Sequence, residues 1–248
     1  MAAPFLYRSG FRARAKGNSG NNGKHKGASD PFWSSVVFLS EFEGTDGQNS
    51  GFTETKNGRA ATFSGTSKIS NTFARFGSTS LFVGTGDTTF ADNNDWDLSD
   101  ANSDQFTIEF SARQGTIAFQ WDTLNQFGGG GWLPRWQSSG EMTFFWYDNV
   151  PVLNNLATSG AGATATDTWY DWCIEKNSAG KIRIYLDGGM KGSATPSDST
   201  MLNGPNPLTF ATQATSDGYI DHARITKGVA RYDSDGGYTP TTGPFPTH

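Results

Sequence analysis

Apolar side chains in this chain recur at every second position, in short runs separated by clusters of Gly, Asn, Asp, Ser and Thr. In 106–113, Phe106, Ile108, Phe110 and Ala112 share one parity, while Thr107, Glu109 and Ser111 share the other. In 169–176, Tyr170, Trp172 and Ile174 alternate with Asp171, Cys173 and Glu175. In 181–186, Ile182, Ile184 and Leu186 oppose Lys181, Arg183 and Tyr185. A period of two places successive side chains on opposite faces of an extended strand, whereas a helix needs 3.6. Asn177–Gly180 has the length and chemistry of a hairpin turn, and Asp187-Gly188 starts the next. Segments 142–147 and 116–121 read as further strands, and no helical stripe with caps appears between Gly58 and Pro246. Many short strands with turn signals between them predict an all-β, two-layer antiparallel sandwich or jelly roll. The absence of a repeat argues against a propeller or solenoid. The core must be aromatic, because hydrophobic residues are only 35% of the 248 while Phe, Trp and Tyr reach 14%. Ile108, Phe110, Ile182, Ile184, Leu186 and Ile225 are expected to face inward, and Trp33, Trp96, Trp146 and Trp172 to be core.

Charge divides the chain in two. Of its 19 Lys and Arg, six fall in residues 1–30, against Asp30 alone of the 24 acids. The remaining 218 residues hold 13 basic and 23 acidic side chains. A basic arm (1–30) therefore precedes an acidic body (31–248). The arm is Gly/Asn/Ser-rich and lacks apolar periodicity, so it builds no core of its own. Its expected role is docking: Pro4, Phe5, Leu6 and Tyr7 as an apolar anchor, with Arg8, Arg12, Arg14 and Lys16 pairing with acids on a partner. Nucleic acid is not favoured, because Arg/Lys density is low and the body repels phosphate. No apolar run approaches the roughly 18 residues of a membrane span, and no signal-peptide stretch opens the sequence.

Enzyme chemistry finds little purchase. Glycoside hydrolysis needs two convergent carboxylates. The closest pair in spacing, Glu41 and Glu43, stands beside a turn, and Asp171 and Glu175 lie about 13 Å apart along a strand. Cys173 has no His motif to activate it, and His25, His222 and His248 are too scattered for zinc. No phosphate-binding glycine loop is present. No catalytic residue and no cofactor is expected. Oxygen ligands for a calcium ion, were one held, would come from Asp87, Asp92 and Asp95, with Asp97 beside them. Asp221 reads as an inward acid on the face of Tyr219, Ala223 and Ile225, bonded to backbone N–H groups. The segment FGGGGWLPRW (127–136) reads as a loop, with three roles open to Trp132, Arg135 and Trp136: cradling a glycan, pressing on a neighbouring subunit, or covering the domain's own core.

Several motifs line up with one family. They are DPFWSSVVFLSEFEG (30–44), ARFGSTSLFVGTGD (74–87), DQFTIEF (104–110), TWYDWCIEKNSAGKIRIYLDG (168–188), GYIDHARITKGVARY (218–232) and YTPTTGPFP (238–246). Together these resemble the laminin G/concanavalin A-like jelly roll of bacteriophage virion proteins, over nearly the whole body. His222 departs from the phage-type pattern, which more often has an acid there, and this weakens any carry-over of a metal site. The resemblance implies a two-sheet sandwich. It also implies a non-enzymatic virion protein, assembled in the host cytoplasm, that decorates a capsid through its arm. The implied partners are the major capsid protein or a tail protein, further copies of the chain, and, for a tail or fibre adhesin, a host-surface glycan.

Overall fold

The computed structural model describes residues 29–115, 120–157, 162–210 and 217–248. The arm residues Pro4, Phe5, Leu6, Tyr7, Arg8, Arg12, Arg14 and Lys16 lie outside that set, as do 116–119 of one expected strand. The alternating segments form strands β1 (Val36–Ser40), β2 (Ala61–Phe63), β3 (Lys68–Ser70), β4 (Ser80–Phe82) and β5 (Thr88–Phe90). Next come β6 (Phe106–Gln114), β7 (Trp121–Asp122), β8 (Trp132–Trp136), β9 (Met142–Tyr147) and β10 (Leu153–Ala157). The series closes with β11 (Trp169–Lys176), β12 (Ile182–Leu186), β13 (Gly189–Ala194), β14 (Leu208–Phe210) and β15 (Gly218–Lys227). No helix among the described residues is long and apolar enough to cross a membrane.

One layer is an eight-stranded sheet in the order β13-β12-β11-β6-β15-β4-β3, with β1 also paired to β15. The other layer is made of two smaller sheets, β10-β9-β8-β7 and β14-β5-β2. All pairings are antiparallel, so the chain is an all-β sandwich. Between the layers lies one aromatic core holding Phe38, Phe90, Phe110, Trp96, Trp121, Trp132, Trp136, Trp146, Trp172 and Phe210. Ile108, Ile182, Ile184, Leu186 and Ile225 join it as the alternation requires. Trp33 instead packs on a smaller cluster of Val36, Leu39 and Phe245, on the other side of the large sheet.

That other side is not left to solvent, because the segment after β15 lies across it. Glu109 on β6 accepts Arg224 Nε and Nη2 at 2.7 and 2.9 Å, and also the Tyr232 hydroxyl. Asp30 accepts Arg224 and Arg231 at 2.9–3.0 Å, and its N–H donates to the His248 carbonyl at 2.8 Å. Asp30, counted above with the arm, is thus tied into the body. Glu175 is fully buried and accepts the N–H groups of Tyr232 and Asp233 at 2.7 and 2.8 Å. Buried carboxylates need such partners, since an unpaired one would cost several kcal/mol. The Tyr232 and Tyr238 rings stack 3.8 Å apart over the same face, and burial raises both hydroxyls' pKa values. Burial likewise pushes Tyr185 and the Cys173 thiol up. At the end of β11, the buried Lys176 ammonium donates to the carbonyls of Ala101, Asn102 and Asp104 at 3.2, 2.9 and 2.6 Å. Burial lowers its pKa to about 8.

The face assigned to Asp221 needs correction. His222 sits in the left-handed region (φ 51°) at a bulge, where the β15–β6 register slips between Asp221 and Ala223. The extra residue switches parity. Asp221 therefore opposes Ser111 on the outer face, while Ala223 and Ile225 oppose Phe110 and Ile108 in the core. Its carboxylate does bond backbone, accepting the N–H groups of Arg75 and Phe76 at 2.7 and 3.1 Å. His222 Nδ1 lies 2.7 Å from Asp221 Oδ1 but out of hydrogen-bond alignment, with the ring enclosed edge-on by Phe76 and Phe245. Glu43 holds the same 75–78 turn, accepting Ser78 N–H and Oγ at 2.9 and 2.7 Å. Gly77 (φ +65°) is required there, because a Cβ would fall 1.7 Å from Glu43 Oε1.

Candidate functional site

Half of the segment read as a loop, Trp132–Trp136, is strand. Phe127–Gly131 makes a tight connection with Gly128, Gly129 and Gly131 at positive φ. At Gly131 a Cβ would lie 1.8 Å from the Gln126 carbonyl. From Trp132 the chain runs as β8, despite Pro134, because the proline carbonyl accepts Thr123 N–H while β9 pairs along the other edge. Alternation then separates the three residues of interest. Trp132 and Trp136 turn inward, at 1% and 0% exposure. Trp132 Nε1 donates to the Trp96 carbonyl at 2.9 Å, and Trp136 stacks on Trp121. Neither offers a ring to a glycan or a subunit. Both cover the domain's own core. Arg135 points outward.

Arg135 lines a groove of about 390 Å³ on the outer face of the two-sheet layer. The two small sheets meet there through one bridge, where Asn125 and Thr209 exchange backbone hydrogen bonds of 2.8 and 2.7 Å. Thr89 and Thr209 are the outward residues between inward pairs, Thr88 and Phe90 on β5 and Leu208 and Phe210 on β14. Asp122 on β7 opposes Arg135 on β8 and accepts Nε and Nη2 at 2.5 and 3.0 Å. That two-point geometry fixes both side chains. Phe127, stacked on Tyr147 at 5.2 Å, Asn206 and Pro207 complete the flank.

Asp87, from the calcium set, lines the same groove. Its carboxylate has no hydrogen-bond or ion-pair partner among the described residues, and burial raises its pKa. The structure does not bring Asp92 and Asp95 to it. Asp95 pairs with Arg59, and Asp92 and Asp97 accept Gln126 Nε2 at 3.4 and 3.2 Å. Among the described residues no three His, Cys, Asp or Glu side chains gather as a metal site. The sequence reading thus singled out Arg135 and Asp87 separately and missed that they face one another's neighbours. It placed Phe127 at the start of the 127–136 segment without giving it a role, and missed Thr89, Asn125, Asn206 and Thr209 altogether. The available signal was the lone outward threonine in each of TTF and LTF.

The groove holds a hydrogen-bonding set (two amides, two threonines, one ion pair and one carboxylate) beside an aromatic flank, part on strands (Thr89, Asp122, Arg135, Thr209) and part on the connections between them. The fold that carries this surface is a lectin-like jelly roll. The profile of the concanavalin A-like lectin/glucanase superfamily (laminin G type) matches residues 83–231, more than half the chain, and the chain belongs to that superfamily. No curated protein sequence matches it. Among solved structures it is similar to the binding domain of Paraclostridial Mosquitocidal Protein 1, at TM-score 0.65 and 14% identity over 80% of this chain. It is also similar to the receptor-binding domain of botulinum neurotoxin D, at TM-score 0.60 and 14% identity over 80%, and to the serotype G binding domain, at 0.60 and 13% over 78%. The chain spans about half the length of each of these (50%, 51% and 48%). At such identities the likeness is one of fold.

Proposed function

We propose that this chain is a non-enzymatic binding module that holds a saccharide in the groove between its two small sheets. The observation that carries this reading is the groove, with its hydrogen-bonding side chains fixed by strand register and its apolar flank at Phe127. Sugars are recognised by that combination of amide, hydroxyl and aromatic contacts. Membership in a superfamily of lectins and glucanases supports it, as does similarity to proteins described as receptor-binding domains. The non-enzymatic part rests on where the acids are engaged. Asp122 is held by Arg135, Glu43 by the 75–78 turn, and Glu109 and Glu175 by the tail. The test is a glycan array with the full chain, followed by titration of any hit. Saturable binding that Phe127→Ala and Asn125→Ala each weaken about tenfold is expected, with no hydrolysis of the bound glycan. Absence of binding to any saccharide overturns the proposal.

The basic arm favours a second, compatible reading. Six basic residues and the Pro4–Tyr7 anchor suit attachment to an acidic partner surface, and the arm enters the body at Asp30, on the face opposite the groove. We infer a virion protein attached through residues 1–29 to a capsid, or to a tail where the groove serves as an adhesin. Deleting 1–29 is expected to abolish occupancy on particles lacking the protein, while leaving the melting curve of the body unchanged. Equal occupancy of both forms across a salt series defeats this reading.

A further inference from the structure

We propose that the groove selects basic over acidic saccharides, its preferred ligand being an amino sugar whose ammonium meets Asp87. This rests on the saccharide-binding reading and adds the charge of the ligand to it. Three observations converge. First, the one cation lining the groove, Arg135, is already neutralised by two short hydrogen bonds to Asp122, so it offers no free charge to a uronate, sulfate or sialyl carboxylate. Second, Asp87 lines the same groove, is partly buried, and has no side-chain partner among the described residues. The groove walls therefore carry one unbalanced negative charge. Third, the segments of the body outside the described set, 116–119 (TIAF), 158–161 (TSGA) and 211–216 (ATQATS), contain no charged residue that would reverse that sign.

A carboxylate partly removed from water gains by meeting a cation, and the same removal penalises an anion brought beside it. Neutral sugars remain acceptable, because the Thr89 hydroxyl and Asn206 Oδ1 need no charge; Asn125, the Asn206 amide N–H and the Thr209 hydroxyl are bonded within the chain and shape the wall. The backbone of Asp87 is fixed independently of its carboxylate: its N–H donates to Ser64 Oγ at 2.9 Å, and its carbonyl accepts Ser64 N–H at 2.8 Å. Substituting its side chain therefore changes the charge of the groove and leaves the strand in place.

The experiment compares three probes of equal length on the full chain by calorimetry: a glucosamine oligomer, its fully N-acetylated counterpart, and an oligouronate, at a pH that keeps the amines protonated. The expected order is glucosamine, then N-acetylglucosamine, then uronate. The first step should be roughly three- to tenfold, the range of a partly exposed ion pair. Asp87→Asn should erase that step while leaving the N-acetylated oligomer's affinity within about twofold. In the unaltered protein the step should shrink with added salt, as a charge contact requires. If the N-acetylated oligomer binds and the deacetylated one gains nothing, or if Asp87→Asn keeps the preference, charge selection fails while saccharide binding stands. If none of the three binds, charge selection fails, and saccharide binding fails with it only where the glycan array is also empty.

Discussion

The two outer faces of this sandwich obey the same alternation and end in opposite states. On the large sheet, the polar parity of β6, β11 and β15 is roofed by the segment after β15. Glu109, Asp171, Glu175 and Arg224 each show less than a tenth of their surface. On the two-sheet layer, the polar parity of β5, β8 and β14 lines a groove in which Asp122, Asn125 and Thr209 are buried while Asp87, Thr89, Arg135 and Asn206 are only half-buried. Where carboxylates are covered, each is engaged: Glu109 by Arg224, Asp171 by Arg75 and Ser111, Glu175 by backbone. In the groove, Asp87 has no hydrogen-bond or ion-pair partner among the described residues. Covering a polar face obliges the chain to satisfy every carboxylate internally, whereas the groove, although it bonds Asn125, Asn206, Thr209 and the Asp122–Arg135 pair within the chain, leaves Asp87 over.

The sharpest way to break this contrast is to remove one member of the covered network. Glu109→Ala takes two of the three carboxylate hydrogen bonds of Arg224, leaving it Asp30 alone, and removes the acceptor of the Tyr232 hydroxyl; it should cost about 3–5 kcal/mol in a denaturant melt, the usual penalty for breaking a buried ion pair. Phe110→Ala, one residue on and facing the core, should cost a similar amount through its cavity. A loss below about 1 kcal/mol for Glu109→Ala would mean that the face is wet.

Alkaline pH separates the covered groups from one another. Lys176 releases its proton near 8 in the fold but at an ordinary value of about 10.4 when unfolded. The unfolded chain then binds more protons across that window, and stability rises with pH. Cys173 works against it: its thiol stays protonated in the fold while the unfolded thiol ionises at about 8.5. The two cancel in the unaltered chain. Cys173→Ala should expose a rise of up to about 1.4 kcal/mol per pH unit between 8 and 10. Lys176→Met should turn the same stretch into a fall. Above about pH 10 every version should lose stability, because Tyr185, Tyr232 and Tyr238 keep their protons when folded. Unfolding midpoints across a pH series read all three slopes.

The smallest effect belongs to the open face. Asp87→Asn should move the melt by no more than about 0.5 kcal/mol, as for a half-buried side chain with no hydrogen-bond or ion-pair partner among the described residues. A larger loss would place Asp87 in the scaffold and close the contrast between the faces.

Period-two alternation was enough to read β6, β9, β11 and β12 nearly to the residue, because each carries a clean apolar parity into the core. It failed where one residue breaks parity. His222 adds a bulge that no composition rule marks, and everything before it changes face, so Asp221 was read inward. It failed again at β8, where four glycines and Pro134 outweighed the alternation of Trp132 and Trp136. The groove was legible only in fragments, since its walls come from β5, β7, β8 and β14, and their meeting depends on the single Asn125–Thr209 bridge. The roof over Glu109 and Glu175 was invisible for a like reason: the acids and the tail that satisfies them lie far apart in sequence.

The hydrogen bond from Asp30 to His248 sets the root of the arm on the roofed side, with the whole thickness of the sandwich between it and the groove. A surface that held copies by this side would leave their grooves on the side facing away from it. Individually weak sites in such an array act together, because once one is engaged its neighbours meet the same ligand-bearing surface at a raised effective concentration. The affinity that matters would then belong to the array, and its strength would be set by the spacing of the anchors rather than by any residue in the groove.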